Sequence, residues 1–150
     1  MGSPSQGKKW TDREKVLMLC SRGTLARTRH LINDLTKLMP HVRMEAKFDK
    51  KCKLDDLNEM AELSNCTKCV YFESRKKKDV YVWISNVPEG PSMKFHLRNT
   101  HTMGELNLAG NCLKSSRPIL SFDPQFDEKP HLSLIKQLLI GVCICLKTNF

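Results

Sequence analysis

The run Lys15 to Ser21 (KVLMLCS) is of strand length and has no polar residue between Val16 and Cys20. A strand with one solvated face alternates apolar and polar side chains, whereas a continuous apolar run has to be covered on both faces. That requirement predicts a parallel or mixed sheet with helices packed on it. After Gly23 the period changes. Leu25, Thr28, Leu31, Ile32, Leu35, Leu38 and Met39 recur at helical spacing, with Thr24 placed as N-cap and Pro40 as the stop. Val42 to Phe48 alternates like a second strand, and Leu54 to Leu63 fits a short acidic helix whose apolar side is Leu54, Leu57, Met60, Ala61 and Leu63. Strand, helix, strand, helix defines the α/β class.

Downstream, Cys69 to Glu73 (CVYFE) and Val80 to Ile84 (VYVWI) are rich in β-branched and aromatic residues, and the charged link Ser74 to Asp79 joins them as a hairpin. Asn86 to Pro91 is a Pro and Gly loop, from which Met93 to Leu97 returns as a third adjacent strand. Ile119 to Phe122 is a candidate for one more strand, and His131 to Ile140 is the last helix candidate. The 150 residues, 40% of them hydrophobic, are a one-domain length able to bury about two-thirds of the unfolded chain's surface.

The chain has 25 Lys and Arg against 16 Asp and Glu, a formal charge of +9, which points towards a polyanionic partner. The charge is segregated. Residues 1–53 hold 13 basic and 5 acidic side chains and residues 74–117 hold 8 and 3, whereas residues 54–73 are net acidic and residues 118–150 balance. Polyanion contact is therefore expected on the first third and around Arg75 to Arg117; the competing reading is a merely solvated Lys-rich surface.

Residues 1–11 read as a flexible basic lead carrying Lys8 and Lys9. The lead lacks an apolar stretch of signal-peptide length, and Gln6 stands where a myristoylation motif requires Ser or Thr, which argues against secretion and lipidation. Leu132 to Leu146 is too short and too polar to span a membrane. The seven cysteines are odd in number and several lie in apolar runs, which fits a reducing compartment. Cys66 and Cys69 form a CxxC with Cys52 upstream, but no second pair completes a zinc set, and a CxxC that opens a strand lacks the helix N-terminus that activates redox thiols. No catalytic set is recognisable among the five histidines, the serines and the carboxylates, nor is there a P-loop, GxGxxG or GxSxG. The expectation is no enzyme, no cofactor, no metal and no small-molecule substrate.

Two basic sets remain. Arg22, Arg27 and Arg29 surround the loop Ser21-Arg22-Gly23-Thr24, which follows a buried strand and opens a helix whose apolar face points the arginines outward. Such a loop either holds a phosphate through backbone donors or simply turns the chain. Arg75, Lys76, Lys77 and Lys78 project from a hairpin tip, where phosphate neutralisation would be sequence-tolerant and salt dependent. Tyr71, Phe72, Tyr81 and Trp83 alternate on the hairpin, either as core or as rings on which bases stack.

Three blocks, DREKVLMLCSRGTLARTRHLINDLTKLMPH (Asp12 to His41), NCTKCVYFESRKKKDVYVWISNVPEGPSMKF (Asn65 to Phe95) and HTMGELNLAGNCLKSSRPILSFDPQFDE (His101 to Glu128), closely resemble the Brix-domain family over roughly residues 10–140. The resemblance implies an α/β fold whose halves look like the anticodon-binding domains of certain tRNA synthetases. It also implies a non-enzymatic nucleolar factor of large-subunit assembly that binds precursor ribosomal RNA and neighbouring assembly proteins. Ser21, Arg22 and Gly23, the turn Gly90, Pro91 and Ser92, and Arg117-Pro118 with Phe122-Asp123 match family positions, the latter groups as fold-defining residues. In the family the domain continues beyond the segment matching His131 to Ile140, whereas Gly141 to Phe150 does not resemble family sequence. The expected organisation is a lead over 1–11, the N-terminal part of a Brix domain over 12–140 and a divergent tail over 141–150. Rival readings are a protein-only module docking on acidic partners and a truncated product with little autonomous function.

Overall fold

The structure, a computed structural model, describes residues 14–45, 48, 53–76, 78–106 and 119–143. Its strands are Val16–Cys20 (β1), Val42–Met44 (β2), Lys68–Arg75 (β3), Asp79–Asn86 (β4) and Ser92–Leu97 (β5); its helices are Ala26–Leu38 (α1), Asp55–Leu63 (α2), Gln125–Glu128 (α3) and Pro130–Cys143 (α4). All five residues of β1 are buried, as a strand without alternation must be. It lies inside a five-stranded sheet of order β2-β1-β3-β4-β5, parallel to both its neighbours, while β3, β4 and β5 form an antiparallel meander. The sheet is mixed, with helices packed on it, and the α/β class holds.

The two faces of the sheet differ. One carries Val16, Met18, Cys20, Val70, Phe72, Val80, Val82 and Ile84, closed over by Ile32 of α1 and by Leu138 and Val142 of α4. The other gathers Leu17, Leu19, Cys69 and Tyr71 with Phe48, under Leu57 and Ala61 of α2. Helix α2 packs against β3. Towards β4 and β5 the same face turns aromatic and polar, with Tyr81 and Trp83 half-buried and Lys94 and His96 exposed.

Several local expectations are corrected. Thr24 does not cap α1: its hydroxyl donates back to the Ser21 carbonyl at 2.5 Å, leaving Leu25, in extended conformation, at the cap position without a side-chain bond. The strand expected over Val42 to Phe48 pairs only as Val42–Met44, and Phe48 rejoins the sheet through a single bridge to Ser21. Ser74, expected in the hairpin link, is a buried strand residue because the ladder continues through Ser74 opposite Val80 and Arg75 opposite Asp79. Ile119 to Phe122 forms no strand: Ile119 is 98% exposed, and Phe122 packs its ring against Phe126 of the next helical turn at 5.4 Å.

Helix α4 runs beyond the expected His131 to Ile140. A Cβ at its Gly141 would stand 2.5 Å from Cε of Lys68, so a larger residue there requires that flexible side chain, whose ammonium crosses to Glu14 at 2.7 Å, to shift. Among the described residues no helix is long and apolar enough to cross a membrane.

Candidate nucleic-acid interface

Because β1 and β3 are parallel neighbours, the loop that leaves β1 and the turn that leaves β3 emerge at the same edge of the sheet. Ser21 fastens them together. It is wholly buried, its N–H donates to the Phe72 carbonyl at 2.9 Å, and its Oγ accepts the Ser74 N–H at 2.9 Å. The Arg22 N–H donates to Phe48 at 3.1 Å, so the first two loop amides are committed to the sheet rather than available to a phosphate. Gly23, at φ +81°, then reverses the chain into α1, in a conformation that side chains with a Cβ rarely adopt. The result brings exposed Arg22 to the same end of the sheet as exposed Lys76 and Lys78, with exposed Arg27 and Arg29 in the first turn of α1.

Arg27 and Arg75 are each engaged by a carboxylate. Arg27 lies 3.6 Å from Glu105, a carboxylate that also meets His101, because the segment before residue 107 lies along α1 and donates its Met103 N–H to Asp34. Arg75 ends β3 rather than the turn, and its Nε donates to Glu73 at 2.6 Å. The turn proper is Lys76 to Lys78, with Lys76 at φ +48° and the Lys78 N–H bonded to the Arg75 carbonyl at 3.0 Å. Lys8, Lys9, Lys77, Arg117 and Pro118 lie outside the described residues.

Gly90, Pro91 and Ser92 sit at the opposite edge of the sheet. There the Asn86 N–H donates to Pro91 at 3.0 Å, the Gly90 N–H returns to Asn86 at 3.0 Å, and the Val87 N–H donates to Thr67 at 2.9 Å, which ties the β4–β5 connection to the start of β3. Gly90 itself has φ +84°. Asp123 accepts the Gln125 N–H at 3.1 Å and so shapes the α3 turn.

Below the basic rim, the open sheet face forms a cleft of about 630 Å³ lined by Tyr71, Glu73, Arg75, Lys76, Tyr81 and Trp83 among others. Glu73 is its hub. One carboxylate oxygen accepts Arg75 Nε at 2.6 Å; the other accepts Trp83 Nε1 at 3.0 Å and Lys94 Nζ at 3.1 Å. Partial burial works to raise this carboxyl, but the hydrogen bonds from Trp83, Arg75 and Lys94, with the Lys94 charge, outweigh it and hold it at about 2. The Lys94 ammonium lies 4.4 Å from the Tyr81 ring centre and 4.7 Å from that of Trp83, and Tyr81 stacks on His96 at 4.8 Å. Of the four hairpin aromatics, Phe72 is core on the far face, Tyr71 is buried at the floor of the cleft, and Tyr81 and Trp83 line the cleft half-buried, Trp83 also packing against the cluster under α2.

Glu73, Lys94 and His96 were not among the sequence candidates. Their signal is the period-two placement of Lys94 and His96 on β5, which sets them opposite Trp83 and Tyr81.

The CxxC thiols do not suit nucleophilic chemistry. Burial, with a smaller contribution from Cys66, pushes Cys69 up to about 12, and burial raises Cys66, whose Sγ donates to the Ser64 carbonyl at 3.6 Å. Cys52 lies outside the described residues; among those described, no group of three or more His, Cys, Asp or Glu side chains could hold a metal ion.

The described residues form a mixed α/β sheet with exposed basic residues at one end. Residues 21–143 match the Brix domain, and the chain belongs to the Brix-domain family. It is 57% identical over 138 residues to the ribosome biogenesis protein BRX1 homolog of Xenopus laevis, covering 92% of this chain and 40% of that protein. It is 55% identical over 134 residues to the homolog of Homo sapiens, covering 89% and 38%, and 52% identical over 133 residues to BRX1 of Saccharomyces cerevisiae, covering 89% and 46%. The chain thus spans about two-fifths of the length of these relatives. A crystal structure of a probable ribosomal biogenesis protein from Aeropyrum pernix K1 aligns with 55% of this chain and 44% of its own, at 20% identity and a TM-score of 0.40.

Proposed function

We propose that the chain is a non-enzymatic ribosome biogenesis factor that binds precursor ribosomal RNA during large-subunit assembly in the nucleolus, with neighbouring assembly factors as its protein partners. In this reading residues 12–140 are the N-terminal part of a Brix domain, and the 1–11 lead adds Lys8 and Lys9 to the RNA contact. The names of the relatives support the ribosomal setting. The observation that carries the RNA reading is the Ser74-to-Ser21 hydrogen bond, which holds two basic segments more than 50 residues apart in sequence on one rim. Arg22, Lys76 and Lys78 reach phosphates directly, and Arg27 and Arg29 extend the positive field along α1. Such contacts release counterions, so affinity falls with salt.

The test is the salt dependence of binding to a ribosomal RNA fragment. The expected plot of log affinity against log salt is linear, and the triple variant Arg22→Ala, Lys76→Ala, Lys78→Ala lowers its slope by about 0.7 to 0.9 for each phosphate no longer neutralised. Salt-insensitive binding, or none, would assign the rim to acidic protein partners instead.

A further inference from the structure

We propose that the open face of β4 and β5 is a base-stacking platform, so that the nucleic acid bound at the basic rim is single-stranded where it crosses Tyr81 and Trp83. The inference rests on the RNA reading above and narrows it to unpaired RNA. Strand β4 alternates cleanly: Val80, Val82 and Ile84 are buried under α1 and α4, while Tyr81, Trp83 and Ser85 turn to the opposite side, where Trp83 packs at the margin of the cluster under α2 and Tyr81 lies beyond it. Both rings are half-buried, with Trp83 packed on one side against the core cluster, and neither is loosely held. Trp83 is fixed through its indole N–H to Glu73, and Tyr81 is held by the His96 ring stacked on it at 4.8 Å; the flexible Lys94 ammonium, 4.4 Å from the Tyr81 centre, is the cover that a stacking base would displace towards its own phosphate.

Fixed rings lose little conformational freedom when a base stacks on them, and stacking tolerates any base because each has a π-face. Cations accompany the rings: Arg75 lies 5.4 Å from the Tyr81 centre, Lys94 stands over both rings, and Lys76 lines the same cleft. A strand whose bases lie on the rings would therefore meet phosphate partners at the cleft margin and at the Lys76 to Lys78 turn. Duplex RNA, with its bases already stacked on one another, offers no face to these rings.

Because Trp83 is one of two tryptophans in the chain, Trp10→Phe makes the remaining fluorescence report on it alone. The experiment titrates this full-length variant with poly(U) and, separately, with a duplex RNA of matched length. The expected result is quenching of Trp83 by poly(U) and none by the duplex. Tyr81→Ala, added to Trp10→Phe, is expected to weaken poly(U) binding about tenfold with the salt slope unchanged, because stacking is removed and the phosphate partners stay in place. Binding of poly(U) with Trp83 fluorescence unaltered and Tyr81→Ala without effect would overturn the platform while leaving the rim reading intact, and would give the face to a protein partner. Absence of binding to either RNA would overturn both.

Discussion

The two faces of one sheet are built from the same strands and have opposite characters. On β4 the residues that point towards α1 and α4 are Val80, Val82 and Ile84, at most 9% exposed, and those that point the other way are Tyr81, Trp83 and Ser85. The first face is closed by two helices and holds the fold together. The second is closed by α2 over β1 and β3, with Trp83 of β4 packed at the margin of that cluster. Its remainder is held by polar contacts centred on Glu73. A period-two strand can serve stability with one set of residues and recognition with the other, so substitutions one residue apart should have unrelated consequences.

The largest difference is expected from Phe72→Ala against Tyr81→Ala. Phe72 is 2% exposed on the closed face, and its removal is expected to cost about 3–5 kcal/mol in a denaturant titration. Tyr81→Ala removes a half-buried ring and is expected to cost about 1 kcal/mol or less. Equal costs would show that the Tyr81 end of the second face is core as well. Next is Ser21→Ala, which leaves the buried Ser74 N–H without its acceptor; the same titration is expected to show a loss of about 1–3 kcal/mol. The variant is also expected to bind RNA less well, because the rim loses its tie.

A smaller effect sharpens the contrast through pH. The Glu73 carboxyl lies at about 2 in the folded protein against an ordinary value of 4.5, so folding favours its ionised form. That contribution is complete above about pH 4.5 and is lost as pH falls towards 2. Glu73→Gln is expected to flatten the dependence of the thermal midpoint on pH in that window and to leave it unchanged at pH 7 relative to pH 6. An unchanged acid limb would show that the hub is not formed in solution. The smallest effect is chemical: Cys69, held at about 12, is expected to resist alkylation at pH 8 in the folded protein and to react once denaturant is added.

Much of this architecture is legible in the sequence, and its limits are instructive. The unalternating run Val16 to Cys20 required cover on both faces and has it. The helical period after Gly23 and the β-branched and aromatic hairpin translate directly into α1, β3 and β4. What escaped depends on pairing. Ser74 reads as turn because it is polar, and is buried because Val80 lies opposite it. Thr24 reads as a cap, but a nearer carbonyl takes its hydroxyl. For the proposed rim, charge counting pointed to Arg22, Arg27, Arg29 and Arg75 to Lys78. It did not reveal that Arg75 and Arg27 are engaged by Glu73 and Glu105, since those partners lie in segments brought close only by register and by packing along α1.

The central claim is that two distant basic segments form one RNA-binding rim, and photo-crosslinking tests it most directly. A 4-thiouridine oligonucleotide of about eight nucleotides, within the span of one single-strand site, is bound at low salt, irradiated and mapped to peptides. The predicted result is adducts from the same short RNA on peptides containing Arg22 and on peptides containing Lys76 to Lys78. Adducts confined to one segment, or concentrated at Gly90 to Ser92 on the opposite edge, would contradict it.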